Sequence, residues 1–247
     1  MSILVNHFSC NQDKKLCQLI DERLLQLETD DFKNVIDYEI LINNQKTIAA
    51  NCSKIKLKIE EGYFPFPTNS VEFVNLILNI NQEIFKNVKV KKLGRFRILN
   101  EDVKVDGDGI ADKHAFLGVK SEEIAPNLKS VWDKLFANLD FNNKKHLEIV
   151  CSKFLVHFFA IHPFHDGNGR TARYFLDILF SNGKYQIEFP STGKRRRQYI
   201  KGLRTAHRIR KEDNGKIDFD SCYILINLMA KIISIKKPSD ELLTDEE

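Results

Sequence analysis

Twelve consecutive residues, His162-Pro-Phe-His-Asp-Gly-Asn-Gly-Arg-Thr-Ala-Arg173, hold the side chains of this chain best suited to chemistry. Arg170 and Arg173 are three apart, so on a helix they share one face of a single turn. Two cations in a first turn repel each other and oppose the helix dipole, an arrangement that makes sense around a bound polyanion such as phosphate. Gly167 and Gly169 let the backbone approach a ligand closely. Asp166 is the one carboxylate in the loop, and a hard oxygen ligand beside phosphates is how Mg²⁺ is usually held. His162, with an imidazole that ordinarily titrates near neutrality, is suited to take a proton from an incoming hydroxyl.

Two apolar segments must position this loop. Leu147, Val150, Cys151, Phe154, Phe158 and Ile161 precede it; Ala172, Phe175, Leu176 and Leu179 follow, all at spacings of three and four. That period is the mark of helices packed on a core. Pro163 stops the first helix and biases His162 away from the α region. The second helix is predicted to begin at Asn168 or Gly169, where unpaired N–H groups and the positive dipole end coincide to bind anions.

The loop resembles the Fic (Fido) family, whose signature is His-x-Phe-x-Asp/Glu-Gly-Asn-Gly-Arg-x-x-Arg. His162, Phe164, Asp166, Gly167, Asn168, Gly169, Arg170 and Arg173 match every fixed position. The resemblance implies a protein adenylyltransferase, moving AMP from ATP to a Ser, Thr or Tyr hydroxyl of a target protein, the chain itself included. It makes His162 the base, Phe164 a core anchor and Asp166 the Mg²⁺ ligand. Gly167, Asn168, Gly169, Arg170 and Arg173 would hold the phosphates, and Tyr199, on a later helix, would line the adenine side. The implied fold is mostly α, a Fic-type helical core with a short β-hairpin flap and a small N-terminal accessory region. Fic relatives also move other phosphate-containing groups, phosphoryl and phosphocholine among them. Those relatives usually depart from Gly-Asn-Gly-Arg, which is intact here.

The family often carries a self-inhibitory helix, Ser/Thr-x-x-x-Glu-Gly/Asn, whose glutamate pairs with the second motif arginine. Thr47 to Asn51 has its start and spacing but places Asn51 where glutamate belongs; Glu61-Gly62 is the runner-up. A weakly restrained enzyme is expected.

The 247 residues suffice for one large domain or a core with a small lobe, and the net charge of +4 mildly favours anionic ligands. Five scattered cysteines without a C-x-x-C pair read as reduced thiols, and Met1 to Phe8 is too short for a signal peptide. The apolar stretch from Cys222 to Ile235 is broken by Asn227 and Lys231 and is no membrane span. A cytoplasmic protein, or a translocated effector, is expected.

The chain divides by pattern into an accessory region (1–66), a catalytic core (67–237) and an acidic tail (238–247) that reads as disordered. Helices are predicted over 13–28 and 32–42. Lys54 to Ile59 alternates strictly and predicts a strand. Ser70 is the predicted N-cap of a helix to Phe85. Gly94-x-x-Arg97 followed by Val103 to Gly109 predicts a hairpin, similar to the Fic flap, with Phe116 to Val119 as its apolar edge. Helices follow with Leu128 and Trp132 buried, from Asn142 or Asn143, and from the Lys194-Arg-Arg-Arg197 run through Tyr199, Leu203 and Ala206. The basic face over 194–211 also fits a nucleic-acid-binding module, a rival from a different class, although nucleic acid is not the expected partner. Asp218 or Asp220 caps a last helix ending at Pro238.

Overall fold

In the computed structural model, the described residues are 35–236 apart from 89, 91, 100–103, 106–115, 182 and 213–218. The helix predicted at 13–28 and the acidic tail lie outside them. Among the described residues there are seven α-helices: α1 (Val35–Glu60), α2 (Ser70–Ile84), α3 (Ile124–Leu135), α4 (Lys144–Ile161), α5 (Asn168–Ser181), α6 (Gly193–Glu212) and α7 (Phe219–Ile232). Two small antiparallel sheets accompany them. β1 (Lys104–Val105) pairs with β2 (Phe116–Leu117), and β3 (Tyr185–Ile187) pairs with β4 (Ile233–Ile235). The chain divides into compact units at Gln45/Lys46. Of the first, only the helical stretch 35–45 is described; the core and the loop lie in the second.

Central helix α4 is apolar nearly all round, with Leu147, Val150, Phe154, Leu155, Val156, Phe158 and Ile161 all buried. A helix of that kind belongs inside a bundle, and α4 packs against α3, α5, α6 and α7. Its start follows the sequence: Asn143 accepts the His146 N–H at 3.1 Å, satisfying a donor of the first turn. Aromatic rings lock α2, α3, α4 and α5 together. Phe73 meets Phe175 at 5.0 Å, Phe154 meets Phe175 at 4.9 Å, and Phe136 meets Phe154 at 5.6 Å between centroids. Pairs at such spacings add about 0.5–1.5 kcal/mol each beyond burial.

Several expectations are corrected. The alternating run Lys54–Ile59 is helical, within α1. Ile55 and Ile59 are four apart and both buried, whereas Leu57 is 57% exposed. A helix serves the isoleucines as well as a strand would, because i and i+4 share a face. Asn69, not Ser70, caps α2, its side chain accepting Val71 and Glu72 N–H groups at 3.0 and 2.9 Å. The last helix stops at Ile232, and Ile233–Ile235 is a strand beside Tyr185–Ile187, in a sheet the sequence reading did not contain. β-branched Ile233 and Ile235 fit that pleated edge. The flap strands 104–105 and 116–117 pair as the hairpin reading expected, and their turn lies outside the described residues.

Candidate active site

The site begins with the end of α4. His162 closes that helix in the left-handed region, φ 50° and ψ 62°, donating its N–H to Phe158 O at 2.9 Å. Glycine usually fills such a cap, and a side chain there costs on the order of 1–3 kcal/mol. Backbone strain of this sort persists where the surroundings hold it, and it concentrates at functional sites. Pro163 then forbids helical continuation.

Asn168 staples the loop shut. Its amide accepts the Phe164 N–H at 3.1 Å and donates to Phe164 O at 2.8 Å. The side chain expected among the phosphates makes both of these bonds within the loop. Phe164 is buried and stacks on Phe96 at 5.1 Å, which makes it the anchor the resemblance implied. Helix α5 starts at Asn168, its first intrahelical bond running from Thr171 N to Gly167 O at 2.8 Å. The amides ahead of Thr171 have no acceptor within the helix, the arrangement by which a helix N-terminus can take an anion.

Gly167 has φ +80°, and a Cβ there would fall 2.7 Å from Phe85 Cε2 and 2.8 Å from Asn81 Nδ2. Both conformation and space demand glycine. Asn81 is fully buried and donates to Asp166 O at 3.2 Å and Thr171 Oγ1 at 3.1 Å. Sequence reading did not single out Asn81. The available signal was an amide at an otherwise apolar position, since a buried amide needs partners.

Asp166 accepts the Gly167 N–H through Oδ1 and the Arg170 guanidinium through Oδ2 at 3.1 Å. Arg170 also lies over the Phe85 ring, 5.1 Å from its centroid. Arg173 folds back over the first turn, its Nη1 3.5 Å from where a Cβ on Gly169 would stand. Tyr199 is buried to 2% exposure beside it. Burial raises the Tyr199 phenol pKa while the Arg173 and Arg196 cations oppose the shift. Arg196 sits 5.3 Å over the Tyr199 ring, so one member of the basic run turns inward while Lys194, Arg195 and Arg197 stay exposed. The spacing from Arg196 to Tyr199, one turn, was the signal in the sequence. One turn beyond Arg173, burial raises the Asp177 carboxyl to about 6 against the pull of Lys56 and Arg173.

His162 is lowered to about 4, first by burial and then by the Arg97 cation, with the Phe159 backbone and Asp166 pulling back and His165 adding to the fall. Its Nδ1 is enclosed and has no hydrogen-bond partner at bonding distance. The imidazole is thus neutral at pH 7, the state a proton acceptor requires.

Magnesium fits only in part. Asp166 is a single carboxylate, and among the described residues no group of three His, Cys, Asp or Glu side chains could hold a metal ion. Mg²⁺ commonly sits on one carboxylate with phosphates and waters completing its octahedron, so Asp166 suffices for an ion shared with a nucleotide.

The expected inhibitory positions do not reach Arg173. Asn51 donates to Ile84 O at 3.2 Å and Lys86 O at 2.8 Å, capping the carboxyl end of α2, and Glu61 is exposed in the turn after α1. Where α1 meets α5, the bond is from Tyr174 OH to Cys52 O at 3.0 Å.

Residues 72–180 match the sequence model of the Fic/DOC family. A protein of Aquifex aeolicus named probable protein adenylyltransferase is 38% identical over 88 residues, 32% of this chain and 26% of that protein. The match therefore spans about a quarter of that relative's length. Among solved structures, the BepC effector from Bartonella tribocorum with bound AMPPNP superposes with TM-score 0.54 at 16% identity, covering 78% of this chain and 89% of that one. The N-terminal Fic domain of a Bep effector from Bartonella quintana with bound ADP gives TM-score 0.58 at 18% identity, covering 84% and 89%. At such identities the likeness speaks for the fold, while the loop speaks through its residues. Residues 72–180, built around the 162–173 loop, carry the Fic/DOC family pattern, and the fold around them is that of solved Fic domains.

Proposed function

We propose that this chain is a protein adenylyltransferase, transferring AMP from ATP to a Ser, Thr or Tyr hydroxyl of a protein target. The catalytic part is residues 67–237, with 1–66 accessory. The observation that carries the reading is a neutral imidazole, its Nδ1 buried, at one end of a loop whose other end is a helix start suited to anions and flanked by Arg170 and Arg173. Nucleotide-bound Bep effectors of the same fold, and the adenylyltransferase name of the Aquifex relative, support ATP as the donor.

The target hydroxyl oxygen attacks the α-phosphorus of ATP. The new O–P bond forms as the bond to the β-phosphate oxygen breaks, pyrophosphate leaves, and the hydroxyl proton passes to His162. The N–H groups of the α5 start, with Arg170 and Arg173, neutralise the charge on the phosphates; preorganised donors of this kind supply much of the rate in such transfers. When bound, Mg²⁺ on Asp166 adds further charge neutralisation to the phosphates. Tyr199, beside Arg173 and under Arg196, forms the wall toward the base of the nucleotide. Cys151 is a buried free thiol, which supports a reducing, cytoplasmic setting, and no helix among the described residues is long and apolar enough to cross a membrane. Transfer of another phosphate-containing group is the rival within this chemistry. Polyanion binding by exposed Lys194, Arg197 and Lys201 on α6 is the rival outside it, and a salt titration against DNA separates it.

The test is labelling of lysate proteins with ATP carrying label at the α- or the γ-phosphate, read by mass spectrometry. Label should arrive from the α position only. His162→Ala should abolish it and leave ATP affinity within about tenfold, because the base acts on the nucleophile. Transfer of γ-label, or labelling by His162→Ala at the unsubstituted rate, overturns the reading.

A further inference from the structure

Arg97 is charged yet only 2% exposed, and its donors converge on the carboxyl end of α4. Nε reaches His162 O at 2.8 Å, while Nη2 reaches Ile161 O at 3.2 Å and Val119 O at 2.6 Å. Its own backbone N–H donates to Pro163 O at 3.1 Å, and Val119 N–H donates to Ile161 O at 3.3 Å. The last carbonyls of a helix have no intrahelical donors. One guanidinium therefore serves the carbonyls of the His162 turn and, through Val119, the segment that leaves β2.

Gly118 closes the same contact from the other side. A Cβ on it would fall 2.9 Å from Arg97 Nη2, 3.1 Å from His162 Cβ and 3.2 Å from Ile161 O. A methyl group there would push on the guanidinium, the His162 Cβ and the Ile161 carbonyl together, so the β2 exit packs closely against His162. Phe96, next to Arg97, stacks on Phe164 at 5.1 Å and 21°, a second link from this segment to the loop.

We propose that Arg97 and Gly118 are positioning residues which clamp the flap's return strand and the left-handed His162 turn into one unit, so that flap and base keep a common frame. The functional consequence rests on the AMP-transfer reading. Arginine is needed rather than lysine, because a planar fork with several fixed donors can serve three carbonyls and a single ammonium cannot. Neither residue touches the anion-binding turn of α5 in the contacts above, so losing the clamp should move the base and spare the nucleotide.

Full-length Arg97→Lys and Gly118→Ala test this with kcat, ATP affinity by calorimetry, thermal melting, and hydrogen exchange of the Val119 and His162 amides. The expected result is a kcat lowered about 10- to 100-fold, since a displacement of 1 Å near the chemistry can cost about a hundredfold. ATP affinity should stay within about twofold, and exchange should rise at both amides together, ahead of the α4 core. A kcat within about twofold of the unsubstituted chain in both variants overturns the proposal. So does an ATP affinity that falls in step with kcat, or exchange that rises throughout the core. If the unsubstituted chain transfers no AMP, the function above fails while the exchange arm still decides: both amides unchanged means no clamp.

Discussion

The imidazole of His162 is held near 4 by enclosure first and by the Arg97 cation second. An ordinary histidine at 6.5 would be half protonated, and half idle as a base, in mildly acidic solution. The acid limb of kcat/KM reports the base in the free enzyme, so it should remain flat from pH 7 to about 5 and fall only near 4. A limb at 6 to 7 in the initial-rate profile would mean that the base is solvated or is another group. Stability carries the same sign. The folded pKa lies below the unfolded one, so the unfolded chain binds the extra proton as pH falls from 6.5 toward 4; the neutral ring's contribution is complete above that window and is lost through it. His162 and the loop's charged residues were legible in the sequence because the chemistry needs those types at that spacing. Asn81, Phe85 and Gly118 were not, and Arg97 was legible only as part of Gly94-x-x-Arg97, because what they do depends on what folds against them.

At the scale of elements, a close helix crossing stands next to α4. A Cβ on Gly202 of α6 would stand 2.8 Å from Leu225 Cδ2, 2.9 Å from Leu225 Cγ and 3.2 Å from Ile224 Cγ2, both residues of α7. α7 in turn packs on α4, the helix that ends at His162. Gly202→Ala gains about 1 kcal/mol of helix propensity but overpacks this crossing at about 1–3 kcal/mol, for a net loss of up to about 2 kcal/mol. In a chain of this size the melting temperature should fall by about 2–4 °C per kcal/mol. A variant that melts higher than the parent would show that the two helices yield without cost. The Lys54–Ile59 run carries the lesson of this scale. Alternating isoleucines satisfy a strand and a helix alike, and the choice fell to the helix because Ile48, Ile55 and Ile59 are buried together on one face.

At the scale of the whole molecule, the site is a junction. α2 lends Asn81, the 94–97 segment lends Arg97, α4 ends in His162, α5 begins at the anion turn, and α6 brings Arg196 and Tyr199. With no group of three His, Cys, Asp or Glu side chains placed to hold a metal among the described residues, Mg²⁺ alone should bind weakly, and it should bind tightly only with ATP present. Calorimetry checks this: saturation by Mg²⁺ at micromolar concentration without nucleotide would reveal ligands beyond Asp166. The amino-acid sequence by itself determined the two helices around the loop, the loop's chemistry and the mostly helical class. Each of these is written in local terms, as a period of three to four, a proline after the base, or glycines where no side chain fits. Only the tertiary structure decided which arginine of the basic run turns inward, where Asn51 spends its amide, that Ile233–Ile235 leaves its helix for a strand, and that Gly118 lies against the base. Those outcomes depend on contacts between residues far apart in the chain, whose energies no local pattern carries.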